Sequence, residues 1–65
     1  MKSANGYRVY ARRSPRRVRQ RFYVTISSSN GQVIFTSEQY RDHDYALELG
    51  KAFADKLEGS FVDLT

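Results

Sequence analysis

The sequence predicts a small α+β domain, with a mainly antiparallel sheet of three to four strands packed by one helix, in the order β-β-β-α-β. Three observations predict it. Apolar and polar residues alternate with period two through the first half of the chain. An Asn-Gly pair separates two such runs. After Asp42 the apolar spacing becomes helical.

The first strand is expected at Tyr7-Arg8-Val9-Tyr10-Ala11, where the alternation is clean but leaves open which face is buried. Residues 12–17 interrupt it as a basic hairpin loop. Ser14-Pro15 suits the first two positions of a turn, because proline presets the required φ. A second strand is expected from about Arg19 to Ser27 and a third from Gln32 to Ser37. Asn30-Gly31 between them predicts a two-residue type I′ turn, in which both residues take positive φ. That turn sets Ser29 opposite Gln32 and Ile26 opposite Phe35. Phe22, Val24, Ile26, Val33 and Phe35 then share the core face. Tyr23, Thr25, Ser27, Ile34 and Thr36 share the other, partly solvated face.

From Asp42 onward, Ala46, Leu49, Gly50, Phe53 and Leu57 form a helical stripe, with Glu48, Lys51 and Asp55 largely off it. Asp42 is the expected N-cap, with Asp44 favourably placed in the first turn. Gly59 is the expected left-handed C′ residue. Gly50 costs about 1 kcal/mol against alanine and is expected to let the helix backbone approach the sheet. Phe61-Val62-Asp63-Leu64 reads as a short last strand.

A chain of 65 residues makes one domain, and it buries only about 60% of the surface its unfolded form exposes. Small domains of this kind gain support from disulfides, metals or a partner chain. The chain has no cysteine and a single histidine, His43, so association remains and a homodimer stays open. Nine aromatic residues and 40% hydrophobic content suffice for a folded core. Residues 1–6 read as a flexible N-terminus without the apolar stretch of a secretory signal, and no run is long enough to span a membrane. With the absence of cysteine, these features give the expectation of a soluble, cytoplasmic protein.

Charge is unevenly distributed. Residues 1–21 carry eight cations (Lys2, Arg8, Arg12, Arg13, Arg16, Arg17, Arg19 and Arg21) and no acid, a net +8. Residues 22–65 carry Arg41, Lys51 and Lys56 against seven acids, a net −4. Seven of the eight early cations are arginine, whose planar fork of donors fits phosphate and carboxylate and stacks on flat rings.

Catalytic equipment is not evident. His43 adjoins Asp42 and Asp44, but neighbours in sequence do not face one another on a helix. Asp42, Asp44 and Glu48 are explained by the helix terminus and a solvated face. Ser27-Ser28-Ser29 leads into a turn and does not resemble a nucleophile elbow. The four glycines are too scattered to cradle a phosphate. No enzyme activity, cofactor, metal or small-molecule substrate is expected.

The stretch from Phe22 to Tyr40 resembles the hairpin of the YegP-like family of small bacterial domains. The likeness lies in the aromatic-x-aromatic-x-aliphatic strand, the Asn30-Gly31-Gln32-Val33-Ile34 turn and the Ser37-Glu38-Gln39-Tyr40 segment. Phe61-Val62-Asp63-Leu64-Thr65 is similar to that family's close. The chain departs from the family at Glu48-Leu49-Gly50, where members tend to carry Asn-Gly, and in its long arginine-rich first turn. The resemblance implies a β-β-β-α-β unit, found as tandem repeats or dimers, and no reaction.

The candidate site is therefore an anion-binding surface made of Arg12, Arg13, Arg16, Arg17, Arg19 and Arg21, with Tyr10 and Tyr23 as stacking rings. Its expected partner is nucleic acid or an acidic protein surface. Against this stands the plain reading that the arginines are a solvated turn that aids solubility and discourages edge-to-edge sheet pairing.

Overall fold

A computed structural model describes residues 6–15 and 21–65. Its elements are β1 (Arg8–Arg13), β2 (Phe22–Ser27), β3 (Val33–Thr36), α1 (His43–Leu57) and β4 (Ser60–Asp63), in the predicted β-β-β-α-β order. The four strands form one mixed sheet in the order β3-β2-β1-β4. β1 pairs antiparallel with β2 and parallel with β4, and β2 pairs antiparallel with β3. The helix packs across β1, β2 and β4 on one face.

Alternation along β1 and β2 decides what the helix covers. Val9, Ala11 and Val24 are fully buried beneath it, and Phe22 and Ile26 nearly so. Ala46, Gly50 and Ala54 are the buried helix positions, flanked by the half-buried Leu49, Phe53 and Leu57. The expected stripe is thus present, with small residues at its centre because the helix lies close to the strands. A Cβ on Gly50 would meet Cε1 of Phe61 on β4 at 2.5 Å, which is the close approach the glycine was expected to permit.

Both helix ends are capped by the chain itself. Asp42 is extended (φ −83°, ψ 114°), and its Oδ1 accepts from the Tyr45 N–H at 3.1 Å, as expected of an N-cap. The left-handed residue at the other end is Glu58 (φ 54°), which replaces the expected Gly59 in that role. Glu58 N–H reaches Asp55 O at 3.2 Å and Gly59 N–H reaches Ala54 O at 2.8 Å. These are the two bonds of a Schellman ending. Gly59 is required for a different reason, because a Cβ there would stand 2.6 Å from the Tyr7 carbonyl oxygen.

The β2–β3 hairpin departs from the type I′ prediction. Among the non-glycine residues described, only Glu58 has positive φ, so Asn30 does not, whereas Gly31 does (φ 89°). Gly31 N–H donates to Ser28 O and Ser28 N–H to Gln32 O, both at 2.9 Å, which closes a three-residue loop with glycine in the left-handed position. Asn30 supports it through Oδ1, which accepts from Gln32 N–H at 3.1 Å and from the Ser28 hydroxyl. Ile26 faces Phe35 as expected, but Ser27 faces Val33 instead of Ile34, with an irregularity between Ile26 and Ser27. The longer loop is absorbed by an extra residue in β3. Val33 consequently falls on the side of Ser27 and not in the core, and all four residues of β3 are exposed.

Past β3 the chain turns back. Ser37 N–H donates to Val24 O at 2.8 Å, and Val24 N–H donates to the Ser37 hydroxyl at 2.8 Å. Tyr40 then exchanges two 2.7 Å backbone bonds with Phe22. The Ser-Glu-x-Tyr segment thus continues the ladder with a hydroxyl standing in for one carbonyl, and it delivers the chain to Asp42. Among the described residues, no helix is long and apolar enough to cross a membrane.

Candidate functional site

β1 runs to Arg13, so Arg12 and Arg13, expected in the hairpin loop, belong to the strand instead. Arg12 pairs with Tyr23, Arg13 with Phe22, and Ser14 N–H extends the ladder to Arg21 O at 2.7 Å. Ladder pairing continues because neither arginine disturbs backbone hydrogen bonding, and the break comes only at Pro15. Arg16, Arg17 and Arg19, the proposed start of strand two at Arg19, and residues 1–5 of the expected flexible N-terminus lie outside the described residues.

Extending the strand has a chemical consequence: alternation sends Arg12 and Arg13 to opposite faces. Arg12 lies on the face away from the helix. Its guanidinium carbon stands 4.8 Å from the centre of the Tyr10 ring, and its Nε–H donates to the Thr25 hydroxyl at 3.0 Å. Register places Tyr10 beside Thr25 and Arg12 beside Tyr23. Tyr10, Arg12 and Tyr23 thus come together as a half-buried cluster on the open face, with Thr25 nearly covered beneath them. Arg8 joins the same face two residues before Tyr10, opposite Ser27. The period-two alternation that sets Tyr10 and Arg12 on this face sets Arg8 there too, outside the dense arginine run.

Arg13 is turned to the helix side, where its guanidinium donates to the Thr65 carbonyl at 2.5 Å. This removes it from the cluster and makes it part of a small polar latch. Thr65 N–H and its hydroxyl both donate to Asp63 Oδ1, at 2.9 and 2.5 Å. His43 Nε2 lies 2.6 Å from the same hydroxyl. With the hydroxyl proton given to Asp63, His43 must be the donor at Nε2. Its ring stacks on Phe22, with centroids 4.6 Å apart and planes 18° from parallel. The Thr65 hydroxyl and backbone bonds, with the nearby His43 and Lys51 charges, hold the Asp63 carboxyl below the usual carboxylate range. His43, read from sequence as an ordinary residue beside a cap, is a fold contact between the helix start and the last strand.

Arg21 stands one residue before β2, two before Tyr23, and is half-buried. The described arginines and tyrosines of the site therefore split three ways: Tyr10, Arg12 and Tyr23 on the open face, Arg21 at its corner, and Arg13 on the opposite side.

The electrostatics of the two faces differ. No acidic residue occurs in β1, β2 or β3, and the only one in β4, Asp63, pairs with Ala11 on the helix side. Asp42, Asp44, Glu48, Asp55 and Glu58 all lie on or cap the helix. Among the described residues, no group of three or more His, Cys, Asp or Glu side chains is placed to hold a metal ion. The open face can accordingly present guanidinium donors and aromatic rings to an anion, with the five helix acids and Asp63 on the other side of the sheet. Comparison with family models, with curated proteins and with solved structures finds nothing that matches this chain.

Proposed function

We propose that the protein is a small non-enzymatic module that binds nucleic acid through the open face of its sheet and the arginine-rich segment between β1 and β2. One observation carries the reading. The strands hold Arg8, Tyr10, Arg12 and Tyr23 on one face, while five of the seven acids, Asp42, Asp44, Glu48, Asp55 and Glu58, lie on or cap the helix. Arginines on phosphate fix position with little sequence readout, and adjacent rings add contacts to bases. A reducing, cytoplasmic setting and a place among YegP-like domains belong to the same proposal. The cysteine-free composition supports the first, and the structural duties of Ser37 and Tyr40 support the second.

The test replaces Arg8, Arg12, Arg16 and Arg17 with serine and leaves Arg13, which serves the latch. The expected outcome is an unchanged circular dichroism spectrum with loss of binding to mixed oligonucleotides at low salt. Retained binding would contradict the reading.

A second reading, a protein-interaction module or homodimer, is favoured by one specific feature. β3 is an edge strand with Val33, Ile34 and Phe35 all at least 44% exposed. An apolar edge of that kind is ready to add a strand from another chain. Sedimentation across a concentration range tests it, and a monomer throughout would count against it.

A further inference from the structure

We infer that the open face takes an unpaired, single-stranded nucleic acid and stacks its bases, in preference to a duplex. The inference rests on the proposal above that the partner is a nucleic acid, and it is carried by the shape and residue order of the face.

Four strands at sheet spacing make a surface about 14 Å across, and the one described helix packs on the opposite face. Tyr23 is directly opposite Arg12 and diagonal to Tyr10, a separation of about 7–8 Å on adjacent strands. Tyr10, Arg12 and Tyr23 are each half-buried, so their stems are packed while part of each remains accessible. Arg12 is held from two sides, by the Tyr10 ring and by the Thr25 hydroxyl, through a bond that uses one of its five N–H donors. A planar cation fixed beside two rings loses little freedom on binding. Val62 pairs with Tyr10 from the other neighbouring strand and extends the same surface with an apolar contact.

This is a platform, not a probe. A duplex hides the faces of its bases and exposes only their edges in grooves that admit a helix or a two-stranded ribbon. The broad face of a four-stranded sheet fits neither groove. A single strand offers both what the rings need and what the arginines need: free base faces and a phosphate chain. Base stacking on aromatic rings tolerates any sequence.

The experiment measures fluorescence anisotropy of labelled strands on the order of a dozen nucleotides, against the intact protein at low salt. Its arms are a mixed single-stranded DNA, the same sequence as RNA, the matching duplex, and an abasic strand with the same number of phosphates. The expected result is binding of the base-bearing single strand about tenfold or more tighter than either the abasic strand or the duplex. The DNA and RNA arms tell which backbone is preferred. Tyr23→Leu and Arg12→Lys are each expected to weaken the base-bearing strand by about tenfold while leaving the abasic strand unchanged. Thermal melts check that these variants fold, and the abasic comparison on the unaltered protein needs no variant.

Equal affinity for abasic and base-bearing strands, or tighter binding of the duplex, would overturn stacking while leaving phosphate binding intact. Failure of every strand to bind would overturn both. Retention on polyglutamate without retention on any oligonucleotide would assign the face to an acidic protein instead.

Discussion

At the residue scale, the helix end separates two roles that a glycine-based reading joins. The residue in the left-handed region is Glu58, where a side chain costs roughly 1–2 kcal/mol, while Gly59 is needed for its missing Cβ beside the Tyr7 carbonyl. Glu58→Gly is therefore expected to stabilise the domain by about 0.5–1 kcal/mol, after allowing for the greater freedom of glycine in the unfolded chain. Gly59→Ala is expected to destabilise it by about 1–3 kcal/mol through overpacking. Opposite shifts of the melting midpoint, each of several degrees, check the pair. If Gly59 rather than Glu58 supplied the left-handed turn, Glu58→Gly would bring no gain. The latch around Thr65 makes a pH prediction. Because the folded Asp63 carboxyl titrates below its usual range, its contribution is fully present above about pH 3.9 and is lost as pH falls through the depressed folded value. Asp63→Asn should lower the midpoint at neutral pH, and the gap to the unaltered protein should close under acid. A gap that stays constant from neutral to acid would show that the carboxylate is not responsible.

Elements were legible in the sequence to different depths. The helix was plain because Asp42, the apolar stripe and the acid in the first turn agree, and the core register at Ile26 and Phe35 followed from hydrophobic alternation. The hairpin loop was misread, since Asn-Gly serves both a two-residue turn and the final two positions of a three-residue loop. Only the Ser28 and Asn30 contacts distinguish them. The reach of β1 was also misread, because arginine density suggests a loop whereas backbone pairing is indifferent to side-chain charge. The site inherited that error: Arg12 was expected in the loop and stands instead on the strand beside Tyr10, and the turning of Arg13 to Thr65 depends on a contact 52 residues away that no local pattern encodes. β3 carries its own prediction. Ile34→Lys on this exposed edge is expected to abolish concentration-dependent association, if the chain associates there, with little change in melting temperature. Light scattering checks it, and an unchanged oligomer would place any self-contact elsewhere.

At the scale of the whole molecule, the sheet divides charge as well as packing. One layer is a helix ringed by acids and the other a strand surface bearing arginine and tyrosine, so the domain has a polarity that a net charge of +4 conceals. Such a field orients an approaching polyanion toward the open face and away from the helix, and its effect falls with ionic strength. The thin core limits how much charge of one sign can be concentrated without cost to stability. Placing the helix acids across the sheet from Arg8 and Arg12 relieves part of that repulsion.

The salt dependence of oligonucleotide binding tests the central claim most directly. On a single strand, log K should fall linearly with log salt concentration by about 0.7 per phosphate neutralised, and Arg8→Ser with Arg12→Ser should make the slope shallower by about 1.4. A slope that those two substitutions leave unchanged, or binding indifferent to salt, would contradict the assignment of the open face as the phosphate-contacting surface.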